Sequence, residues 1–140
     1  MNEFNIFNVL EIGDLHTGKT SFIEQYSTFE RYYFIGDEIY YYLKDIESKE
    51  MKFRIRLWET TIFNINIVLS YLMKHMHLLI FIYDITSYSS YLYIRRIIKS
   101  IDKTAKIIVG NKIYINENRC VMFGEGKEFA KKYNANYFEI

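Results

Sequence analysis

Proline is absent from these 140 residues, cysteine occurs once and glycine six times. Cys120, being alone, cannot close a disulfide within the chain, which fits a reducing compartment. His16, His75 and His77 have no partners in the sequence that would complete a zinc set, so a zinc site is not expected. No apolar run approaches the roughly 18 residues of a membrane span, and the N-terminus lacks the basic, apolar and small-residue order of a signal peptide. A cytoplasmic chain without a transmembrane segment is the expectation. Excess charge of one sign is also missing: the net charge is +1, with basic residues spread among acidic ones. Nothing there draws the chain to nucleic acid. Repeats and linkers are lacking as well. The absence of proline accompanies abundant Tyr, Ile, Asn and Lys and carries no structural weight.

What is present is a chain that should fold. Half the residues are apolar and 19% are aromatic, and a chain this long buries about 68% of its unfolded surface, enough for one domain over residues 1–140. Residues 4–12 favour a strand and run into a glycine-bearing loop, and residues 19–26 place Phe22, Ile23 and Tyr26 at helical spacing. After a polar, aromatic connector at 27–37, EIYYYLKDI and MKFRIRLWE alternate across a charged turn and predict a hairpin. Residues 65–76 suit a helix. The continuous apolar run LLIFIYDI, at 78–85, predicts a strand covered on both faces. A helix over 88–101, a strand in KIIVGNK, a helix over 125–133 and a last strand in NYFEI complete the order βαββαβαβαβ. Such alternation predicts an α/β fold with a mostly parallel six-stranded sheet, helices on both faces and ligands beyond the carboxyl ends of the strands.

Between the first strand and helix stand Gly13, Asp14, Leu15, His16, Thr17, Gly18, Lys19 and Thr20, which match G-x-x-x-x-G-K-[ST] in full. Glycines let the backbone wrap closely around phosphate, the lysine supplies positive charge, and the threonine hydroxyl suits magnesium. An ordinary glycine-rich turn is the plainer alternative, but the strand–loop–helix context favours a mononucleotide. Gly124 and Gly126 form no second loop of this kind.

Further segments carry a resemblance to the Rab and Ras group of small GTPases. Arg56-Leu57-Trp58-Glu59-Thr60 looks like the strand ending in WDTAGQE, Tyr83-Asp84-Ile85-Thr86 like YDVT, and Val109-Gly110-Asn111-Lys112 like VGNKxD. Phe34-Ile35-Gly36-Asp37 resembles TIGVD at the end of switch I, Glu128-Phe129-Ala130 the EFA of a late helix, and Tyr137-Phe138-Glu139 the approach to ETSAK. The resemblance implies a three-layer P-loop NTPase fold and a GTP/GDP switch in vesicle-mediated transport. It places guanine nucleotide at Gly13 through Ser21 with Asn111 and Lys112, Mg²⁺ at Thr20 and Glu59, and effector or regulatory proteins at the switch surface. A protein-interaction module that no longer cycles nucleotide is the alternative.

Several positions depart from the family pattern. Phe34 replaces the switch I threonine that binds magnesium, and Ser27 or Thr28 would substitute only if the shorter loop folds differently. Glu59 replaces an aspartate. Ile62 stands where a glycine amide meets the γ-phosphate, and Phe63 where a glutamine orients the attacking water, so no catalytic residue is assigned and hydrolysis is expected to be weak. Tyr114 replaces the aspartate that accepts from guanine; Glu117 is a stand-in or a plain loop acid. The resemblance reaches Ile140 without the family's serine-alanine-lysine loop, final helix or prenylated cysteine tail, so peripheral placement at endomembranes is expected only of a longer product.

Overall fold

The computed structural model describes residues 4–14, 16–19, 31–35, 39–60, 72–101 and 103–140. Seven strands appear there: β1 (Asn5–Ile12), β2 (Arg31–Ile35), β3 (Ile39–Glu47), β4 (Lys52–Thr60), β5 (Leu78–Asp84), β6 (Ala105–Asn111) and β7 (Asn136–Glu139). Helix α1 spans Tyr88–Ile98 and α2 spans Phe123–Lys132, with 3₁₀ turns at Met73–His75 and Ile113–Asn118. None of these helices is long and apolar enough to cross a membrane. The chain forms two compact units, Met1–Glu11 with Thr20–His77, and Ile12–Lys19 with Leu78–Ile140.

In the first unit the expected hairpin is present. β3 and β4 pair antiparallel from Ile39 opposite Thr60 to Glu47 opposite Lys52. Ser48 closes the turn, its amide donating to the Met51 carbonyl at 2.9 Å while its hydroxyl accepts from the Met51 amide at 3.1 Å. β4 then lies parallel to β1, with Leu57 beside Val9 and Trp58 beside Leu10. The alternation that predicted these strands sends Tyr40 and Tyr42 into the core, where Leu57 packs against them. On the opposite face Tyr41 meets the Trp58 ring at 4.7 Å, and the Trp58 indole donates to Asn8 Oδ1 at 3.0 Å. β2 lies inside the segment expected to be a connector. It pairs antiparallel with β3, with an irregularity between Tyr33 and Ile35. The polar residues flanking this aromatic run favour a loop locally, and only the edge of β3 makes it a strand.

The second unit holds β5, β6 and β7, all parallel. Leu79, Phe81, Ile82 and Tyr83 are fully buried, as the continuous apolar run requires. Ser87 caps α1, its hydroxyl accepting from the Ser90 amide at 3.3 Å. That helix buries Tyr91, Ile94 and Ile98; the Tyr91 ring sits 5.1 Å from Tyr83 and 5.5 Å from Phe129 of α2. Of the five strand pairs within the units, three are parallel. The α/β class and the mostly parallel pairing expected from the sequence are borne out. The expected helix at 19–26 and most of that at 65–76 lie outside the described residues.

Candidate functional site

The phosphate loop leaves the end of β1, and the residues fastened to it come from the ends of β5 and β6, all carboxyl ends of strands. Gly13 is buried because the turn passes directly against β5. A Cβ there would stand 2.7 Å from the Ile82 carbonyl oxygen and 2.9 Å from the Thr17 hydroxyl. Gly18 needs its glycine for a second reason: its φ of +91° is left-handed, and the Asn111 amide presses on the face where a side chain would be. His16 adopts φ 62°, so the backbone reverses twice within three residues. Thr17 is buried and donates its hydroxyl to the Asp14 carbonyl at 2.8 Å, closing the loop on itself. Lys19 arches back over this turn, with its ammonium 2.5 Å from the Gly13 carbonyl and 3.4 Å from that of Asp14.

Asn111 and Lys112 hold the loop from outside. Asn111 Nδ2 donates to the Thr17 carbonyl at 2.8 Å while its Oδ1 accepts from the Lys112 amide at 2.8 Å. Lys112, in a left-handed conformation at φ 69°, sends its ammonium to the His16 carbonyl at 2.7 Å and to Asp84 Oδ2 at 3.0 Å. Asp84 Oδ1 in turn accepts from the Thr86 amide at 2.8 Å and its hydroxyl at 2.6 Å. Burial works to raise the Asp84 carboxyl, but the Thr86 donors and the Lys112 ammonium outweigh it and hold it below the usual carboxylate range. Asp84 and Thr86 had no assigned role in the sequence, where they served only as points of resemblance. An acid terminating a buried apolar strand was the available signal.

Gly13, Asp14, His16, Thr17, Gly18, Lys19, Asn111 and Lys112 are therefore gathered in one place. Leu15, Thr20, Ser21, Ser27, Thr28, Ile62 and Phe63 lie outside the described residues. Glu59 sits buried near the end of β4 in the first unit, and Phe34 belongs to β2. Tyr114 is 79% exposed, and Glu117 is exposed on the same 3₁₀ segment.

The geometry suits a phosphate chain on two grounds of this chain's own. Two glycines fix the turn, since a Cβ on Gly13 would meet Ile82 and Thr17 and one on Gly18 would meet Asn111, and an ammonium already lies across it. Lys19 exchanging a neutral carbonyl for a phosphate oxygen would gain a stronger, charge-assisted hydrogen bond.

A sequence profile of the Ras family matches residues 8–140. The chain is 32% identical to the Ras-related protein Rab-1C of Dictyostelium discoideum, over 92% of its own length and 68% of the relative. It is 28% identical to the Ras-related protein Rab-1 of Theileria parva, over 99% and 68% respectively. To the human Ras-related protein Rab-15 it is 27% identical, over 96% and 67%. A turn that matches the phosphate-loop pattern is tied to an asparagine–lysine pair at the end of β6, and a sequence matched almost throughout makes this chain a divergent, Rab-like member of the Ras family.

Proposed function

We propose that the chain binds GTP and GDP with Mg²⁺ at residues 13–21, acts as a Rab-like protein in membrane traffic through effectors at its switch surface, and hydrolyses GTP only slowly. The observation that carries this is the pair of bonds from Asn111 and Lys112 to the Thr17 and His16 carbonyls. They join the phosphate loop to the segment that the family uses for the base. Bound magnesium would neutralise phosphate charge. Slow hydrolysis follows from the sequence: Phe63, at the position of the family's glutamine, has no polar atom with which to orient water. Ile62 adds a branched side chain where the family keeps a glycine.

Calorimetric titration of the nucleotide-stripped chain with Mg·GTP and Mg·GDP tests the binding. Heat and thermal stabilisation are expected, together with their loss in Lys19→Ala at unchanged circular dichroism; equal affinity in that variant would sink the proposal. Single-turnover hydrolysis should run below about 3 × 10⁻⁴ s⁻¹, the intrinsic rate of an intact family member. One observation favours the second reading, an interaction module without cycling. Phe34, at the switch threonine position, belongs to a strand paired with β3 rather than to a loop.

A further inference from the structure

We propose that Tyr114 receives the nucleobase by stacking on its ring, and that the site therefore accepts nucleoside triphosphates without choosing guanine over adenine. This rests on the nucleotide reading above and goes beyond it in naming the ligand class. Selecting guanine requires an acceptor for its N1–H and N2 amino group, most effectively a carboxylate, whereas adenine offers a different edge. Among the described residues, Asp84 and Glu139 are the carboxylates at the ends of β5 and β7, and both are committed. Asp84 gives Oδ1 to the Thr86 amide and hydroxyl and Oδ2 to Lys112. Glu139 holds the Arg119 guanidinium with both oxygens and also accepts from the Tyr137 hydroxyl at 2.7 Å. Turning either toward a base would break charge-assisted bonds in a low-dielectric setting. Asn111 is committed as well, with its amide group on Thr17 and its oxygen on the Lys112 amide.

What the segment beyond Lys112 does offer is an aromatic face. Tyr114 is the most exposed large apolar side chain among the described residues, yet the backbone under it is pinned. The Ile115 amide donates to the Lys112 carbonyl at 2.9 Å, and the Ile113 amide to that of Ile140 at 3.1 Å. A kink at Ile115 (φ −102°, ψ 50°) interrupts the 3₁₀ segment between Tyr114 and Glu117, so the acid does not continue the turn that carries the ring. Stacking on an aromatic side chain serves any base, because every base has a π-face. Discrimination is left to the phosphates, which the Gly13–Lys19 turn contacts without reference to the base.

The test titrates the nucleotide-stripped full chain, in Mg²⁺, with GTP and with ATP, and repeats both with Tyr114→Ala and Tyr114→Asp. Dissociation constants for the two nucleotides are expected to agree within about threefold. Tyr114→Ala should weaken both by about 5- to 100-fold at an unchanged melting temperature. Tyr114→Asp should restore an acceptor and open a GTP-over-ATP preference of about tenfold or more. A guanine preference of about a hundredfold in the unaltered chain, or a Tyr114→Ala variant that binds both nucleotides as before, overturns this inference and leaves the nucleotide reading intact. Binding of neither nucleotide overturns both.

Discussion

Lys112 serves a carboxylate and a loop carbonyl at once, and the double duty makes its removal informative. Lys112→Met keeps the alkyl stem but leaves Asp84, whose side chain is 11% exposed, with only Thr86 for support. The Lys112 side chain is itself 23% exposed, so solvent moderates the loss, and a decrease of about 1–2 kcal/mol is expected from urea denaturation midpoints. The sign with pH is fixed by the depressed Asp84 carboxyl. Its contribution is complete above the ordinary value of 3.8 and is lost as pH falls through the lower value of the folded state. The gap between variant and parent should therefore be full at neutral pH and narrow below 3.8; a gap that stays constant into strong acid would remove charge from the explanation. The sequence reveals the two ends of this brace unequally. Lys112 stands in a motif with fixed spacing, but Asp84 meets it only because β5 and β6 run parallel in a register that sets Asp84 beside Asn111.

Helix α2 contains two glycines whose costs have opposite sign. Gly124 has nothing within 4 Å of where its Cβ would lie, whereas a Cβ on Gly126 would meet the Tyr137 ring and the Tyr83 hydroxyl, both at 2.5 Å. Gly124→Ala should therefore stabilise by about 0.5–1 kcal/mol through helix propensity alone. Gly126→Ala should destabilise by about 1–3 kcal/mol, since it would displace the fully buried Tyr83 and the half-buried Tyr137 that shares its hydroxyl contact. Thermal denaturation of both variants decides the matter, and a shift of the same sign in each would contradict the packing described. Glycine in a helix is an ambiguous letter, which is why the sequence places this helix from residue 125 while the structure starts it at Phe123. Periodicity reads well where burial is continuous, as in β5 and β6. It fails at β2, where the deciding partner is another strand, and it overruns α1, which ends at Ile98 as the Ser100 hydroxyl takes the Ile97 carbonyl at 2.8 Å.

Taken along the described chain, every strand but β2, both helices and the glycine-bearing turn after β1 were legible because hydrophobic period and motif spacing are local. The polar network beneath β6 was not, because Tyr, Glu and Arg scattered over three segments read as ordinary surface or core letters. Tyr83 and Tyr137 share a hydroxyl contact of 2.6 Å, Tyr137 donates on to Glu139, and Arg119 closes the chain onto that carboxylate. Burial pushes the Tyr83 phenol up to about 12, and burial, Tyr83 and Glu139 together push Tyr137 up as well. Unfolded tyrosine ionises near 10.0, so the native state is favoured fully below that pH and loses the advantage as pH rises from 10.0 toward 12. Alkaline unfolding should therefore coincide with the appearance of the tyrosinate absorption band from these two residues. Tyr83→Phe removes one of the protons that unfolding releases in that interval. Its stability should fall less steeply with pH there, by up to about 1.4 kcal/mol per pH unit. It should also start lower at neutral pH, because the Tyr137 hydroxyl loses a buried partner. A Tyr83→Phe protein with the parent's slope would mean that this phenol ionises equally in folded and unfolded chains, and the hydroxyl pair would then act through packing rather than through a retained proton.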